Sequence, residues 1–154
     1  MAEGLKARIG FVSGGKSSMP HYNSFLPIVP KEVAIDFQGM ELYGASLYEI
    51  ADKRDFIVGR VKELVAARGW NGVIVTAAPT EVLNPGLYDA LNAALTVPFT
   101  TALNACVAAL RVYSAPKVLL LTPFDARLND LIVKHLAKVE IGRASCRERV
   151  YVLV

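Results

Sequence analysis

Two hydrophobic patterns alternate along this chain. Short apolar runs rich in Val and Ile lie at 7–13, 32–38, 72–77 and 117–123, and longer stretches with a helical period lie between them. Partial alternation is typical of a half-buried strand, whereas a continuous run such as 117–123 indicates burial on both faces of a parallel sheet. The order of the two patterns predicts an α/β sandwich with right-handed crossovers.

Local signals set the limits of the predicted helices. Ser46 and Glu49 form a capping-box pattern at the start of a helix that should run to about Arg68, and Gly69 is placed to end it. The apolar residues of that stretch share one helical face: Leu47, Ile50, Ile57, Val61, Leu64 and Val65. Further helices are expected at 86–95 with Pro85 in the first turn, at 101–110, and at 126–139 with Asp125 as the cap.

Composition excludes several classes of protein. The 154 residues suggest one domain with a sizeable core, and charged residues or proline interrupt each apolar stretch before it could cross a bilayer. No secretory signal precedes the first strand, and Cys106 and Cys146 do not make a disulfide framework, so a cytoplasmic location is expected. The net charge of +3 is spread thinly, which argues against a nucleic-acid partner, and the interrupted apolar stretches argue against a membrane.

The last fifteen residues depart from this pattern. The stretch 140–150, "EIGRASCRERV", has no apolar period and resembles the translation of a common sequencing adapter. We therefore expect a native domain over 1–139 and a non-native tail over 140–154, in which Cys146 has no role. The alternative is a charged loop followed by a true edge strand at 150–154.

A glycine-rich stretch follows the first strand. The letters "GFVSGGKS" at 10–17 match the P-loop pattern, in which backbone N–H groups and a lysine hold phosphates. A P-loop requires a helix at the Lys-Ser pair, but Pro20 follows within one turn. The stretch is therefore interpreted as a flexible loop, as an anion-binding loop for a carboxylate, or as a nucleotide site.

An ordered set of motifs carries a family resemblance. "RIGFVSGG", "LPIVPKEVAI", "NGVIVTAAPTEVLNPG", "VPFTTALNACVAAL" and "VLLLTPFDARLNDLIVKHL" occur in this order over residues 8–139. Together they resemble the N-terminal half of the aspartate/glutamate racemase superfamily, in the branch of maleate isomerase and arylmalonate decarboxylase.

That resemblance implies a fold and a chemistry. It implies a flavodoxin-like three-layer sandwich whose four-stranded parallel sheet has the order 2-1-3-4, with 117–123 as the fourth strand, forming one half of a pseudo-symmetric pair. Such enzymes use no metal or organic cofactor, and backbone N–H groups and hydroxyls hold the substrate carboxylate between the two halves. The matching substrate-binding positions here are Ser13, Gly14, Asn23, Pro79, Thr80, Thr122 and Phe124.

This sequence also departs from the family pattern. The cysteine that the first half typically supplies falls on Ala78, which can neither transfer a proton nor attack a substrate. Pro79 stands where relatives carry threonine and offers no N–H. Phe124 stands where relatives carry tyrosine and lacks the hydroxyl. No catalytic residue is therefore assigned to this chain.

The remaining candidates each have a structural alternative. Cys106 is interpreted as a packed helix residue rather than a reactive thiol. His21 either binds a carboxylate or lies on the surface, and Thr122 either touches a ligand or bonds to the backbone.

The expected function is that of a cofactor-independent isomerase, racemase or decarboxylase acting on a small carboxylic acid. The chain should be inactive without a second half, and its exposed apolar face should favour homo-oligomers. The alternatives are a carboxylate-binding protein of the same fold without activity, and a P-loop nucleotide binder.

Overall fold

The computed structural model describes residues 4–17, 20–144 and 151–153; for 20–23 and 151–153 it describes the backbone alone. The strands are β1 (Ala7–Ser13), β2 (Val33–Gly39), β3 (Gly72–Val75), β4 (Phe99–Thr101), β5 (Lys117–Leu120), β6 (Gly142–Arg143) and β7 (Tyr151–Leu153). The α-helices are α1 (Arg54–Arg68), α2 (Ala78–Val82), α3 (Leu87–Ala94), α4 (Ala102–Val112) and α5 (Ala126–Lys138). Short 3₁₀ helices span Pro20–Ile28 and Leu47–Ile50.

Residues 1–101 form one compact unit around a parallel sheet of four strands. The strand order is β2-β1-β3-β4, so the predicted order 2-1-3-4 is confirmed. The fourth strand, however, is the short segment Phe99–Thr101, which pairs with β3. Because all pairs are parallel, the loops that follow these strands meet at one edge of the sheet, as ligand-binding loops do in open α/β sheets.

Residues 102–154 form a second unit. Its parallel sheet has the order β6-β5-β7, so the run at 117–123 is not the fourth strand of the first sheet as predicted. The predicted burial on both faces is also wrong, because Leu119 and Leu120 are only half-buried and Leu121 is 49% exposed. An apolar run predicts a strand but does not specify which strand lies beside it. Helix α5 buries one face, with Leu128, Ile132 and Leu136, and its N-cap Asp125 accepts the N–H of Leu128 as predicted.

The predicted helix over 46–68 is two elements. The capping box of Ser46 and Glu49 is confirmed, but it starts a 3₁₀ helix that ends at Ile50. Asp52 has a φ of +58°, which interrupts the helix before α1 begins at Arg54. Gly69 ends α1 in the left-handed conformation, as predicted.

The start of α3 also differs from the prediction. Pro85 precedes the helix instead of occupying its first turn, because Gly86 has a φ of +77° and stands at the N-cap.

The core of the first unit forms from the expected helix face and the strands. Ile50, Ile57, Val61 and Leu64 are buried, as predicted, together with strand residues such as Val75. Within the described ranges, no helix has both the length and the apolar character that a membrane span requires.

Candidate functional site

Three loops meet at the carboxyl edge of the first sheet. The loops after β1 and β2 are joined by backbone hydrogen bonds, from Met40 N–H to Ser13 O (2.9 Å) and from Leu42 N–H to Gly14 O (2.8 Å). The loop after β3 comes to the same place, since a Cβ added at Gly14 would lie 3.6 Å from Thr80 Oγ1. The structure therefore brings together the predicted positions Ser13, Gly14 and Thr80.

The glycine-rich loop packs closely against the end of β2. Ser13 Oγ accepts the N–H of Gly15 (3.0 Å), and Ser17 Oγ accepts the N–H of Gly39 (2.7 Å). A Cβ at Gly39 would overlap Gly15 O and Ser17 N, so only glycine fits there.

The segment after the Gly-Lys-Ser stretch does not match a nucleotide-binding loop. The next element in the described part of the chain is the 3₁₀ helix from Pro20, whereas a P-loop requires an α-helix that starts at the lysine. The hydroxyl of Ser17, which a P-loop directs at a metal ion, faces β2 here.

A strained turn joins β3 to α2. Thr76 extends the strand through a hydrogen bond from its N–H to Val12 O (2.8 Å), and Ala78 starts the helix. Between them, Ala77 has φ +69° and ψ 119°, a conformation that costs a residue with a Cβ about 1–3 kcal/mol. We call residues 76–80 the elbow. Ala78 presents only a methyl group there, so the elbow carries no thiol.

Unused hydrogen-bond donors lie at this edge. Among the described residues, the backbone N–H groups of Gly14, Ala77 and Ala78 donate to no protein acceptor. Thr76 Oγ1 is buried and also has no hydrogen-bond partner there. Buried polar groups are nearly always paired in folded proteins, so the N–H of the buried Gly14 and the hydroxyl of Thr76 indicate a site for an acceptor such as a carboxylate. Ala78 is half-buried and Ala77 is exposed, so water can also accept their N–H groups.

The other predicted residues of the elbow are turned inward. Thr80 is 1% exposed and donates its hydroxyl proton to Thr76 O (3.1 Å). Pro79 is buried and has no N–H. These two residues therefore shape the elbow, and their role in substrate binding stays a prediction.

In the second unit, Thr122 and Phe124 belong to a closed turn after β5. The Thr122 hydroxyl donates to Asn129 Oδ1 and accepts the N–H of Phe124 (3.1 Å). Asn129 Nδ2 in turn donates to Phe124 O (3.0 Å). Because its proton is used inside this turn, Thr122 can accept a hydrogen bond from a ligand but cannot donate one.

The remaining candidate residues from the sequence are Asn23, His21 and Cys106. The side chains of Asn23 and His21 lie outside the described residues. Cys106 is half-buried in α4, and burial raises the pKa of its thiol, which agrees with a packed residue rather than a nucleophile. No cluster of three His, Cys, Asp or Glu side chains in the described ranges could hold a metal ion.

The loop after β2 belongs to this edge but has no predicted site residue. Glu49 organises it, because its carboxylate accepts the N–H groups of Gly44 (2.9 Å), Ala45 (3.3 Å) and Ser46 (3.0 Å). These backbone hydrogen bonds lower the pKa of Glu49. The sequence contained one signal, the capping box, but not the wider role of its carboxylate.

Comparison with solved structures shows which proteins have a similar fold. Arylmalonate decarboxylase matches with a TM-score of 0.67 and 18% sequence identity, over 94% of this chain and 63% of the enzyme. Maleate isomerase from Pseudomonas putida S16 matches with a TM-score of 0.64 and 16% identity, over 96% of this chain and 64% of the enzyme. An aspartate racemase homologue from Pyrococcus horikoshii OT3 matches with a TM-score of 0.60 and 15% identity, over 96% of this chain and 65% of that protein.

This chain shares the fold of arylmalonate decarboxylase, of maleate isomerase and of the aspartate racemase homologue. The predicted resemblance to the branch of maleate isomerase and arylmalonate decarboxylase is thus confirmed at the level of the fold. No protein-family model matches the sequence, and no curated protein matches it. The chain spans less than two thirds of the length of these solved structures, which is consistent with one half of their fold.

Proposed function

We propose that this chain is one half of a cofactor-independent enzyme that isomerises, racemises or decarboxylates a small carboxylic acid. The observation that carries this proposal is the set of unused donors at this edge: the N–H groups of Ala77 and Ala78 and the buried hydroxyl of Thr76 in the elbow, and the N–H of Gly14 in the loop after β1. They lie at the edge where parallel sheets bind ligands.

The chemistry follows from where negative charge develops. Loss of a proton or of CO₂ next to a carboxylate places extra charge on the carboxylate oxygens. Fixed N–H and O–H donors that face those oxygens stabilise the transition state, and each can be worth roughly 2.7–4 kcal/mol. A loop that acts through backbone dipoles needs no charged side chain, which explains the small, uncharged residues of the elbow.

A group that moves the proton must come from elsewhere. Ala78 has no acid or base, and Cys106 has a raised pKa. The chain covers 63% of the length of arylmalonate decarboxylase. We propose that residues outside this sequence complete the cleft and supply the acid or base, and that this chain alone has no activity.

A second candidate is a carboxylate-binding protein without catalytic activity. The absence of any reactive atom on Ala78 favours it, because the same donors hold an anion whether or not chemistry follows. A cysteine in the matching loop of a second half would support catalysis.

The test of anion binding uses Thr76. Replacing it by valine keeps the shape of the side chain and removes a hydroxyl that has no partner in the described structure. We expect Thr76→Val to leave the free energy of unfolding unchanged or to raise it, because a buried unpaired hydroxyl is costly. Titration calorimetry with phenylmalonate and with maleate should show about tenfold weaker binding than in the wild type, the loss expected for one hydrogen bond to a charged group.

The matched control is Thr100→Val on β4. The hydroxyl of Thr100 donates to the backbone oxygen of Thr101 (3.3 Å), the next residue of the same strand, and takes no part in the elbow. The Thr100→Val variant should bind phenylmalonate and maleate with the same affinities as the wild type. Equal binding by wild type and Thr76→Val would exclude Thr76 as a donor, and failure of the wild type to bind either acid would contradict the proposed function.

A further inference from the structure

A buried side-chain amide links the elbow to the helices that follow β2. Asn84 is 1% exposed and lies just after α2. Its Nδ2 donates to Thr80 O (2.8 Å) and to Ile50 O (3.0 Å), and its Oδ1 accepts the N–H of Lys53 (2.7 Å). One side chain therefore joins the elbow, the end of the 3₁₀ helix and the N-cap of α1.

The connection continues from Lys53 to the β1 loop. Lys53 Nζ donates to Leu42 O (2.6 Å), and the Leu42 N–H donates to Gly14 O (2.8 Å). A continuous set of hydrogen bonds thus runs from Thr80 through Asn84, Lys53 and Leu42 to Gly14. The two ends of this path are the two parts of the site that hold unused donors.

We propose that Asn84 is a positioning residue that fixes the distance between the donors of the elbow and the donor of Gly14. A carboxylate must meet both sets of N–H groups at once, and such donors act only when they are held in place before the ligand arrives. Three hydrogen bonds from one buried amide supply that rigidity without contact with the ligand. The carboxylate ligand in this inference rests on the proposed function. The role of Asn84 in holding the elbow in place does not depend on that function.

The opposite edge of the sheet offers a matched control. Asn71 Oδ1 accepts the N–H of Arg8 (2.8 Å), so it also links two segments of the first unit through its side chain. Asn71 directly precedes β3, and Arg8 lies near the start of β1, so this link is at the amino edge. Asn71→Ala removes a cross-link of the same chemical kind, far along the strands from the elbow.

The experiment compares local exchange and affinity in three variants. Asn84→Asp keeps an acceptor for Lys53 and removes the amide donors when it is ionised, Asn84→Ala removes all three bonds, and Asn71→Ala is the control. Amide hydrogen exchange is followed in peptides covering 76–83 and, as an internal reference, 57–64 in α1. Phenylmalonate and maleate are titrated into each protein.

We expect both Asn84 variants to exchange about tenfold faster over 76–83, with 57–64 unchanged, and to bind the acid about tenfold more weakly than Asn71→Ala does. Unchanged exchange over 76–83 would overturn the proposal, and so would faster exchange with unchanged affinity. If Asn84→Ala fails to fold, Asn84→Asp decides by the same two measurements. If the wild type binds neither acid, the proposed function fails and the exchange data alone decide whether Asn84 holds the elbow.

Discussion

The two edges of the first sheet are built in opposite ways. At the amino edge, Trp70 is 3% exposed and its ring covers Gly10 of β1, where any Cβ would overlap it. Its indole N–H donates to Asp36 of β2 (3.0 Å), and Asn71 and Arg8 exchange hydrogen bonds beside it. At the carboxyl edge, by contrast, Ala77 is strained and several donors are unused in the described structure.

This difference separates stability from binding. Side chains at the amino edge pack and pair, so substitutions there should act on the free energy of unfolding. Strain and unpaired groups are tolerated at functional sites when the rest of the fold compensates for them. Substitutions at the carboxyl edge should therefore change binding more than stability, and some should even stabilise the protein.

The largest expected effect is that of Gly10→Ala. The new methyl group overlaps the buried Trp70 ring, so the strand or the ring must shift, at a cost of about 3 kcal/mol in the free energy of unfolding. Urea denaturation measures it. Gly59→Ala in α1 is the control, because no atom lies within 4 Å of its new Cβ and alanine favours the helix; it should stabilise by up to about 1 kcal/mol. A neutral Gly10→Ala would show that Trp70 does not close this edge.

A smaller loss is expected for Trp70→Phe. It removes the N–H that Asp36 accepts, leaving that carboxylate with Arg68 at 3.8 Å, and should cost about 2 kcal/mol. A double-mutant cycle with Asp36→Ala measures the coupling between the two residues. Additive effects of the two substitutions would exclude the indole–carboxylate bond as a source of stability.

At the carboxyl edge, Ala77→Gly should act in the opposite direction. Glycine accepts a φ of +69° without strain, so the free energy of unfolding should rise by about 1 kcal/mol. The freer turn should weaken binding of phenylmalonate, since the donors are no longer fixed before the ligand arrives. Thermal unfolding and calorimetry on the same samples check both signs, and a loss of stability would contradict the strain argument.

The smallest effect is expected for Glu49→Gln, and it depends on pH. The pKa of Glu49 is lowered below its usual value near 4.5, so its ionised form stabilises the native loop above that pH. This contribution is lost as the pH falls through the lowered pKa. The difference in urea midpoint between wild type and Glu49→Gln should therefore be present at about pH 7 and absent at about pH 2. A difference of equal size at both values would show that charge is not involved.

Features with local causes could be predicted from the sequence. The capping box of Ser46, the left-handed cap at Gly69 and the N-cap at Asp125 each depend on residues within one helical turn. The convergence of Ser13, Gly14 and Thr80 followed from the rule that parallel strands place their following loops at one edge.

Other features depended on contacts that no local pattern contains. The break at Asp52 is held by its N–H to Leu83 O (3.4 Å), thirty-one positions away, and by Asn84. Thr80 and Thr122 were predicted as ligand-binding hydroxyls, yet which acceptor takes each proton is decided by the atoms nearby in space.

The sequence by itself determined the α/β class, most helix caps and the absence of a thiol at Ala78, because each depends on spacing, on local geometry or on residue identity. The order of the first sheet was implied by the family resemblance. Only the tertiary structure decided which segment became the fourth strand, that the loop after β2 joins the site, and that Asn84 links the elbow to the β1 loop. The physical reason is that strand neighbours and buried hydrogen bonds are chosen by competition among distant partners, whose outcome depends on the whole packed core.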